Sequence, residues 1–224
     1  MKRDLQCLFR TICRWGITTT LLSTLLFSAA GSTKIPSLRA YLIAYSLVLL
    51  ITMLAVDPQL ARERTHPGLD AGPFHLQFGP RILFLLTLTT AAFCVGRVPI
   101  CIVSQSVRWL ALATFILASF LQTWAMAANN FFSPSIYLQG ERHRLIHSGP
   151  YQFIRHPGYL AMCVSVPASA VAIGSWLTLF PAAVFIAMIF HRARFEDQFL
   201  RANLPGYAEY ARRVPSCLPF VRST

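Results

Sequence analysis

Acidic residues are scarce in this chain: Asp and Glu number 8 among 224 residues, against 20 Lys and Arg. Charge of either sign is thin at 12%, while 55% of residues are hydrophobic and the mean hydropathy is +0.52. So little charge excludes an ordinary soluble domain of this length and points to a polytopic membrane protein. The basic excess is not gathered into one stripe, which argues against a nucleic-acid groove. Six cysteines are scattered without a C-x-x-C pair, and His66, His75 and His147 have no partners at metal-ligand spacing. Neither a zinc site nor a disulfide framework is therefore expected. Paired catalytic carboxylates, a Ser/His/Asp set, internal repeats, low-complexity tracts and a soluble second domain are missing too.

What is present is a series of apolar runs. After a basic start with Lys2, Arg3, Arg10 and Arg14 comes a run over 16–31. Its small residues from Ser28 to Ser32 also resemble a signal-peptide end, but the preferred reading is a retained first span. A second span covers 40–56, ended by Asp57-Pro58, and a polar loop 57–80 follows. Spans at 81–98 and 107–128 precede a polar segment over 129–155. The apolar run 157–191 is broken at Gly174-Ser175 into halves of about 17 residues, near the lower limit for crossing hydrocarbon. It reads as a tight helical hairpin, with Pro167 and Pro181 as expected kinks.

The expectation is an all-α membrane bundle of about six spans. Residues 1–128 would form the N-terminal spans and 129–224 the polar loop, closing hairpin and tail, all one membrane domain. With the N-terminus inside, only Lys34, Arg39, Arg97 and Arg108 of the twenty basic residues lie outside. That asymmetry follows the positive-inside rule and puts both termini and the 129–155 segment in the cytoplasm.

The chemistry concentrates on that side. Within Gly149–Tyr159, Pro157 suits the first position of a helix, and His156 before it is biased toward an extended conformation. Free backbone N–H groups and a positive dipole end would face outward, crowded by Tyr151, Arg155, His156 and Tyr159. Such a mouth suits a carboxylate or phosphate. It equally suits a polar interface turn anchored to headgroups. In the tail, Arg192 and Glu196 share a helical face, Leu204-Pro205-Gly206 ends that helix, and Tyr207 and Tyr210 start a short one as interface anchors or packing. Asn129 and Asn130 cap the fourth span or face a membrane pocket. The loop and the tail flank the same hairpin, so they must lie close together.

These residues carry a resemblance. Gln139, His143-Arg144-Leu145-Ile146, Gly149-Pro150-Tyr151 and Arg155-His156-Pro157-Gly158-Tyr159 are followed by Arg192-x-x-x-Glu196, Gly206-Tyr207, Tyr210 and Arg213-Val214-Pro215. Over roughly 129–220 the chain resembles the isoprenylcysteine carboxyl methyltransferase family, itself related to phospholipid N-methyltransferases. The resemblance implies a membrane enzyme that moves a methyl group from S-adenosylmethionine to a lipophilic acceptor, working with the lipid bilayer and with neither nucleic acid nor metal. It implies cofactor contacts at Gln139, His143, Arg144, Leu145, Ile146, Tyr151, His156, Pro157, Gly158, Tyr159 and Glu196, with Arg192 meeting the acceptor.

Methyl transfer from a sulfonium needs positioning and water exclusion more than acid–base groups, so the missing carboxylate pair does not count against it. An NADPH-dependent sterol-type reductase is the alternative enzyme. Its usual Arg-His-x-Asn-Tyr and Arg-x-x-Arg-Asp-Glu differ from Pro157-Gly158 and Phe195-Glu196-Asp197 here. A non-catalytic membrane protein of the same fold is the third reading.

Overall fold

Local backbone chemistry sets the helix ends. The computed structural model describes residues 5–56, 73–100, 102–129, 131–132 and 144–216. Apart from one isolated bridge, Ile102 to Ser175, the described residues form only helices and their connections. Helix α1 (Leu5–Ala30) turns at Gly31 into α2 (Pro36–Ala55), which opens with proline in its first turn. Next come α3 (Phe74–Gly96) and α4 (Gln105–Ala128). A single 3-10 turn (Gly149–Gln152) leads to α5 (Pro157–Ile173). A second one (Trp176–Thr178) leads to α6 (Leu179–Asn203), and the short α7 (Tyr207–Arg213) closes the described chain.

The hairpin tip falls where expected. Gly174 caps α5 with φ 131°, a conformation open to glycine alone at little cost, and the chain reverses through Ser175. Three expectations are revised. The helix after the first polar loop begins at Phe74 and not Arg81, so His75, Gln77 and Pro80 are helical. The last span and the polar tail form one unbroken helix, so Arg192 and Glu196 ride on the same rod as the apolar run. Pro181 sits in the first turn of α6, where a missing N–H leaves no gap in the ladder; of the two expected kinks, Pro167 alone lies inside its helix.

Four helical stretches are long and apolar enough to cross a membrane: Pro36–Ala55, His75–Gly96, Gln105–Ala128 and Trp176–Asn203. The other two expected spans are helical but fall short of that description. Helix α5 has 17 residues, and α1 carries Arg10 and Arg14 in its first half. Helix α5 is buried on nearly every side. Its Ala- and Ser-rich sequence lets α4 approach along its length, the most extensive helix pairing in the fold. The main core gathers Leu26, Leu38, Tyr41, Leu88, Phe115 and Ile173 from five helices. Outward, Leu21, Ile43, Ile82, Leu117 and Phe180 remain exposed, an apolar belt fit for lipid.

Candidate functional site

Helix α5 starts abruptly, and that start makes one wall of a pocket. Pro157 has no N–H to offer, and the His156 side chain makes no capping bond, which leaves the N–H groups of Gly158 and Tyr159 uncapped. Arg155 is fixed just ahead by its backbone N–H, which donates to the Pro215 carbonyl at 3.0 Å. The segment after α6 thus folds back across the helix mouth. The Tyr210 hydroxyl reinforces this by donating to the Tyr151 carbonyl at 2.7 Å.

The pocket between these pieces encloses roughly 630 Å³ including its open mouth. Leu145, Ile146, Tyr151, His156, Gly158, Tyr159 and Glu196 line it, all of them named in advance from the sequence. Gly158 is there for space as much as for the turn: a Cβ on it would lie 2.4 Å from the Phe132 ring, which forms the facing wall. Pro157 is buried behind the lining, whereas Arg144 is exposed and does not contribute to it. Gln139 and His143 lie outside the described residues.

Two polar clusters meet here. In one, the Tyr159 hydroxyl donates to Glu196 and accepts from Arg192 Nε at 2.7 Å, so one phenol joins the two α6 residues. The Arg192 guanidinium also lies 5.8 Å from the centre of the Tyr159 ring, and its Nη1 donates to the Leu76 carbonyl. The expected Arg192–Glu196 pairing is thus mediated through a third side chain. The Tyr159 ring stacks on His156 at 5.7 Å.

The second cluster centres on Asp197, which the sequence did not single out. Its Oδ1 accepts from Arg155 Nη1 at 2.7 Å and from the Tyr207 hydroxyl at 2.8 Å, and its Oδ2 from Arg201 Nε at 2.9 Å. His156 Nε2 stands 3.5 Å from Oδ1 without hydrogen-bond geometry. Arg155 and Asp197 are both buried, so the pair is electrostatically strong and each member depends on the other. Tyr207 and Tyr210, expected as anchors or packing, do pack in a buried cluster with Leu204 and Ala211, and they also line the pocket, as does Asn129, whose amide reaches the Tyr151 hydroxyl at 3.4 Å. Burial raises the pKa of the Tyr151 and Tyr207 hydroxyls well above the usual tyrosine value and pushes Tyr210 up to about 12. All three are proton donors at neutral pH.

Among the described residues, two buried donors in this pocket, Arg155 Nε and Arg155 Nη2, make no hydrogen bond, and neither does the buried His156 Nε2, whose nearest charged neighbour is Asp197 Oδ1 at 3.5 Å. Buried polar groups are nearly always satisfied, so such a cluster beside two uncapped backbone N–H groups fits an anionic group of a ligand. Glu196, with Oε2 taken by Tyr159, keeps Oε1 for a donor. This donor and acceptor set, with tyrosine faces between, fits the carboxylate, ammonium and sulfonium of S-adenosylmethionine.

Fold and pocket together define a helical membrane protein whose polar site is built around a closing hairpin. Residues 109–202 match the model of the Isoprenylcysteine carboxyl methyltransferase (ICMT) family. That stretch, carrying α4 to α6 and the core of the pocket, is the part of the chain that is similar to this family. Among curated relatives, the cobalt-zinc-cadmium resistance protein CzcN of Cupriavidus metallidurans is 29% identical over 142 residues, covering 50% of this chain and 62% of CzcN. Protein-S-isoprenylcysteine O-methyltransferase B of Arabidopsis thaliana is 32% identical over 114 residues, 49% of this chain and 58% of the relative. The uncharacterized protein YpbQ of Bacillus subtilis is 23% identical over 164 residues, 69% and 94% respectively. The chain spans about three-fifths of the length of the first two. No solved structure matches it.

Proposed function

We propose that the protein is an integral membrane methyltransferase that uses S-adenosylmethionine and modifies a lipophilic acceptor arriving from the bilayer. The observation that carries this reading is the pair of buried Arg155 donors, Nε and Nη2, that make no hydrogen bond among the described residues, in a pocket built mostly from the family-matched segment. When bound, S-adenosylmethionine supplies a methyl group activated by its positive sulfur. Arg155, His156 and the N–H groups of Gly158 and Tyr159 hold a carboxylate. Glu196 accepts from an ammonium or ribose hydroxyl, and the faces of Tyr151 and Tyr159 border the positive sulfur, a contact worth about 0.5–2 kcal/mol when water is excluded. Leu145, Ile146, Leu200 and Leu204 close the apolar side and keep water out.

Arg192 spends Nε on Tyr159 and Nη1 on Leu76, which fixes its guanidinium behind Tyr159, outside the pocket lining. That fixed positive charge is the group we assign to an acceptor carboxylate. The chain would cross the bilayer six times, with the pocket on the cytoplasmic side, as the distribution of Lys and Arg favours. Similarity to a protein-S-isoprenylcysteine O-methyltransferase supports an O-methylation of this kind.

The test is calorimetric titration of the purified protein with S-adenosylmethionine, with NADPH as competitor, alongside transfer of labelled methyl into a membrane extract. Binding that is lost in Glu196→Ala, with label entering the organic-soluble fraction, is the expected result. Binding of NADPH alone would replace this reading with the reductase one.

A further inference from the structure

A second cavity lies deeper in the bundle and is larger than the pocket, with a volume of roughly 860 Å³. Ligand pockets for small molecules commonly span about 300–1,000 Å³. Its walls are mainly apolar, with Leu49, Met53, Phe84, Phe115, Met162 and Phe185 drawn from five helices. Several of the hydroxyls on those walls are already satisfied within the protein. Thr52 and Thr123 bond each other at 2.7 Å, Ser119 donates to the Phe115 carbonyl, and Ser169 donates to that of Ser165. The interior therefore asks for hydrocarbon, not for a polar ligand.

The rim is different. Arg10 and Arg14, one turn apart on α1, line the cavity together with Arg81 of α3. All three are exposed, and among the described residues no carboxylate lies within ion-pair distance of Arg10 or Arg14. Arg81 extends its guanidinium over the Phe78 ring at 5.4 Å. At 1.5 Å per residue, Arg14 stands about 24 Å along α1 from Ala30. With a hydrocarbon core about 30 Å thick, Arg10 stands near its inner boundary and Arg14 one turn inside it, from where a long side chain snorkels toward the headgroups.

We propose that this cavity holds one anionic glycerophospholipid of the host bilayer, its chains among α1, α2, α4 and α5 and its phosphodiester on Arg10, Arg14 and Arg81. The charge is complementary, the depth is right, and the volume suits two chains. The site is independent of the methyl-donor pocket, since the α1 and α3 residues at its rim lie outside the family-matched stretch. The two cavities share a partition. Val56 and Met126 line the lipid cavity and pack on Phe132, which walls the pocket.

Native mass spectrometry of the full chain in detergent, titrated with dioleoylphosphatidylglycerol or dioleoylphosphatidylcholine, tests this. The wild type is expected to retain one phosphatidylglycerol in clear preference to phosphatidylcholine. Arg10→Gln with Arg14→Gln lowers that affinity by about thirtyfold, reckoned from two headgroup contacts. Ser119→Phe, which fills the cavity and leaves the arginines in place, also abolishes retention, while Lys34→Gln at the opposite end of α1 leaves it unchanged. Equal retention of both lipids by the wild type, or undiminished preference in the double arginine variant, overturns the assignment. So does a Ser119→Phe variant that binds like the wild type, since the lipid would then lie on the surface.

Discussion

Arg192 on α6 donates from Nη1 to the main-chain oxygen of Leu76 on α3, an oxygen that has lost its own helical donor. The N–H four residues on would belong to Pro80, which has none. A proline inside α3 thus creates an acceptor, and the buried guanidinium of the candidate site fills it. The same guanidinium holds Tyr159, which holds Glu196. An irregularity in a membrane-length helix becomes an anchor for the pocket.

That relationship predicts an unusual split for Pro80→Ala. Restoring the N–H repairs the helix, where an interior proline costs about 3 kcal/mol, so thermal stability should hold or rise. The Leu76 oxygen then belongs to α3, Arg192 loses that anchor, and methyl transfer should fall by about tenfold or more, as for other small misplacements of positioning groups. Thermal unfolding and label transfer on the same preparation check it; a variant that gains stability and keeps full transfer would remove Arg192 anchoring from the account.

Asp197 makes the opposite prediction, one of stability first. Asp197→Ala leaves Arg155 buried with its partner gone, so a loss of about 3–5 kcal/mol is expected. Replacing Asp197 and Arg155 together by leucine and methionine should recover much of that stability, because the buried charge goes with its partner. Binding of S-adenosylmethionine should not recover, since Arg155 carries two of the donors assigned to it. Thermal melts and calorimetry on the single and double variants separate the two effects.

Tyr159→Phe keeps the ring that stacks on His156 and lies against Arg192, and removes only the hydroxyl between Arg192 and Glu196. The lost pair of hydrogen bonds should cost about 1–3 kcal/mol. Because Tyr159 and Glu196 act as one unit, the loss in cofactor affinity for Tyr159→Phe with Glu196→Gln should be well below the sum of the single losses. A double-mutant cycle by calorimetry reads this directly, and additive losses would mean that the hydroxyl bridge has no part in binding.

What was legible beforehand follows from where the signal resides. The start of α5 at Pro157, the reversal at Gly174-Ser175 and the stop at Leu204-Pro205-Gly206 are local backbone effects, and the chain shows each where its sequence implies it. Seven of the pocket-lining residues were legible through a family pattern. Asp197 was not, because one acid in a basic tail looks like a solvated charge until Arg155, forty-two positions earlier, is seen bonded to it. Tyr207 and Tyr210 read as interface anchors or packing, and nothing local signals that α7 folds back over the helix mouth. The early start of α3 was hidden by His75, Gln77, Gly79 and Pro80, which have the composition of a loop; burial of Leu76 and Gln77 against the rest of the bundle overrides it.

Gly158 offers the sharpest steric test of the pocket. It is buried in the first turn of α5, where an alanine would ordinarily favour the helix by about 1 kcal/mol. Here the added methyl would lie 2.4 Å from one Phe132 carbon and 2.7 Å from the next, far inside contact distance, so the ring has to move. Phe132 also packs on Val56 and Met126, and displacing it disturbs that small cluster as well as the pocket wall. Gly158→Ala should therefore weaken S-adenosylmethionine binding by about tenfold or more, a change of about 1.4 kcal/mol or above. Trimming the ring in Gly158→Ala with Phe132→Leu should restore part of the loss, because the clash is with that ring and not with the backbone. Calorimetry on the single and double variants distinguishes this from a general defect, which a second truncation would only deepen.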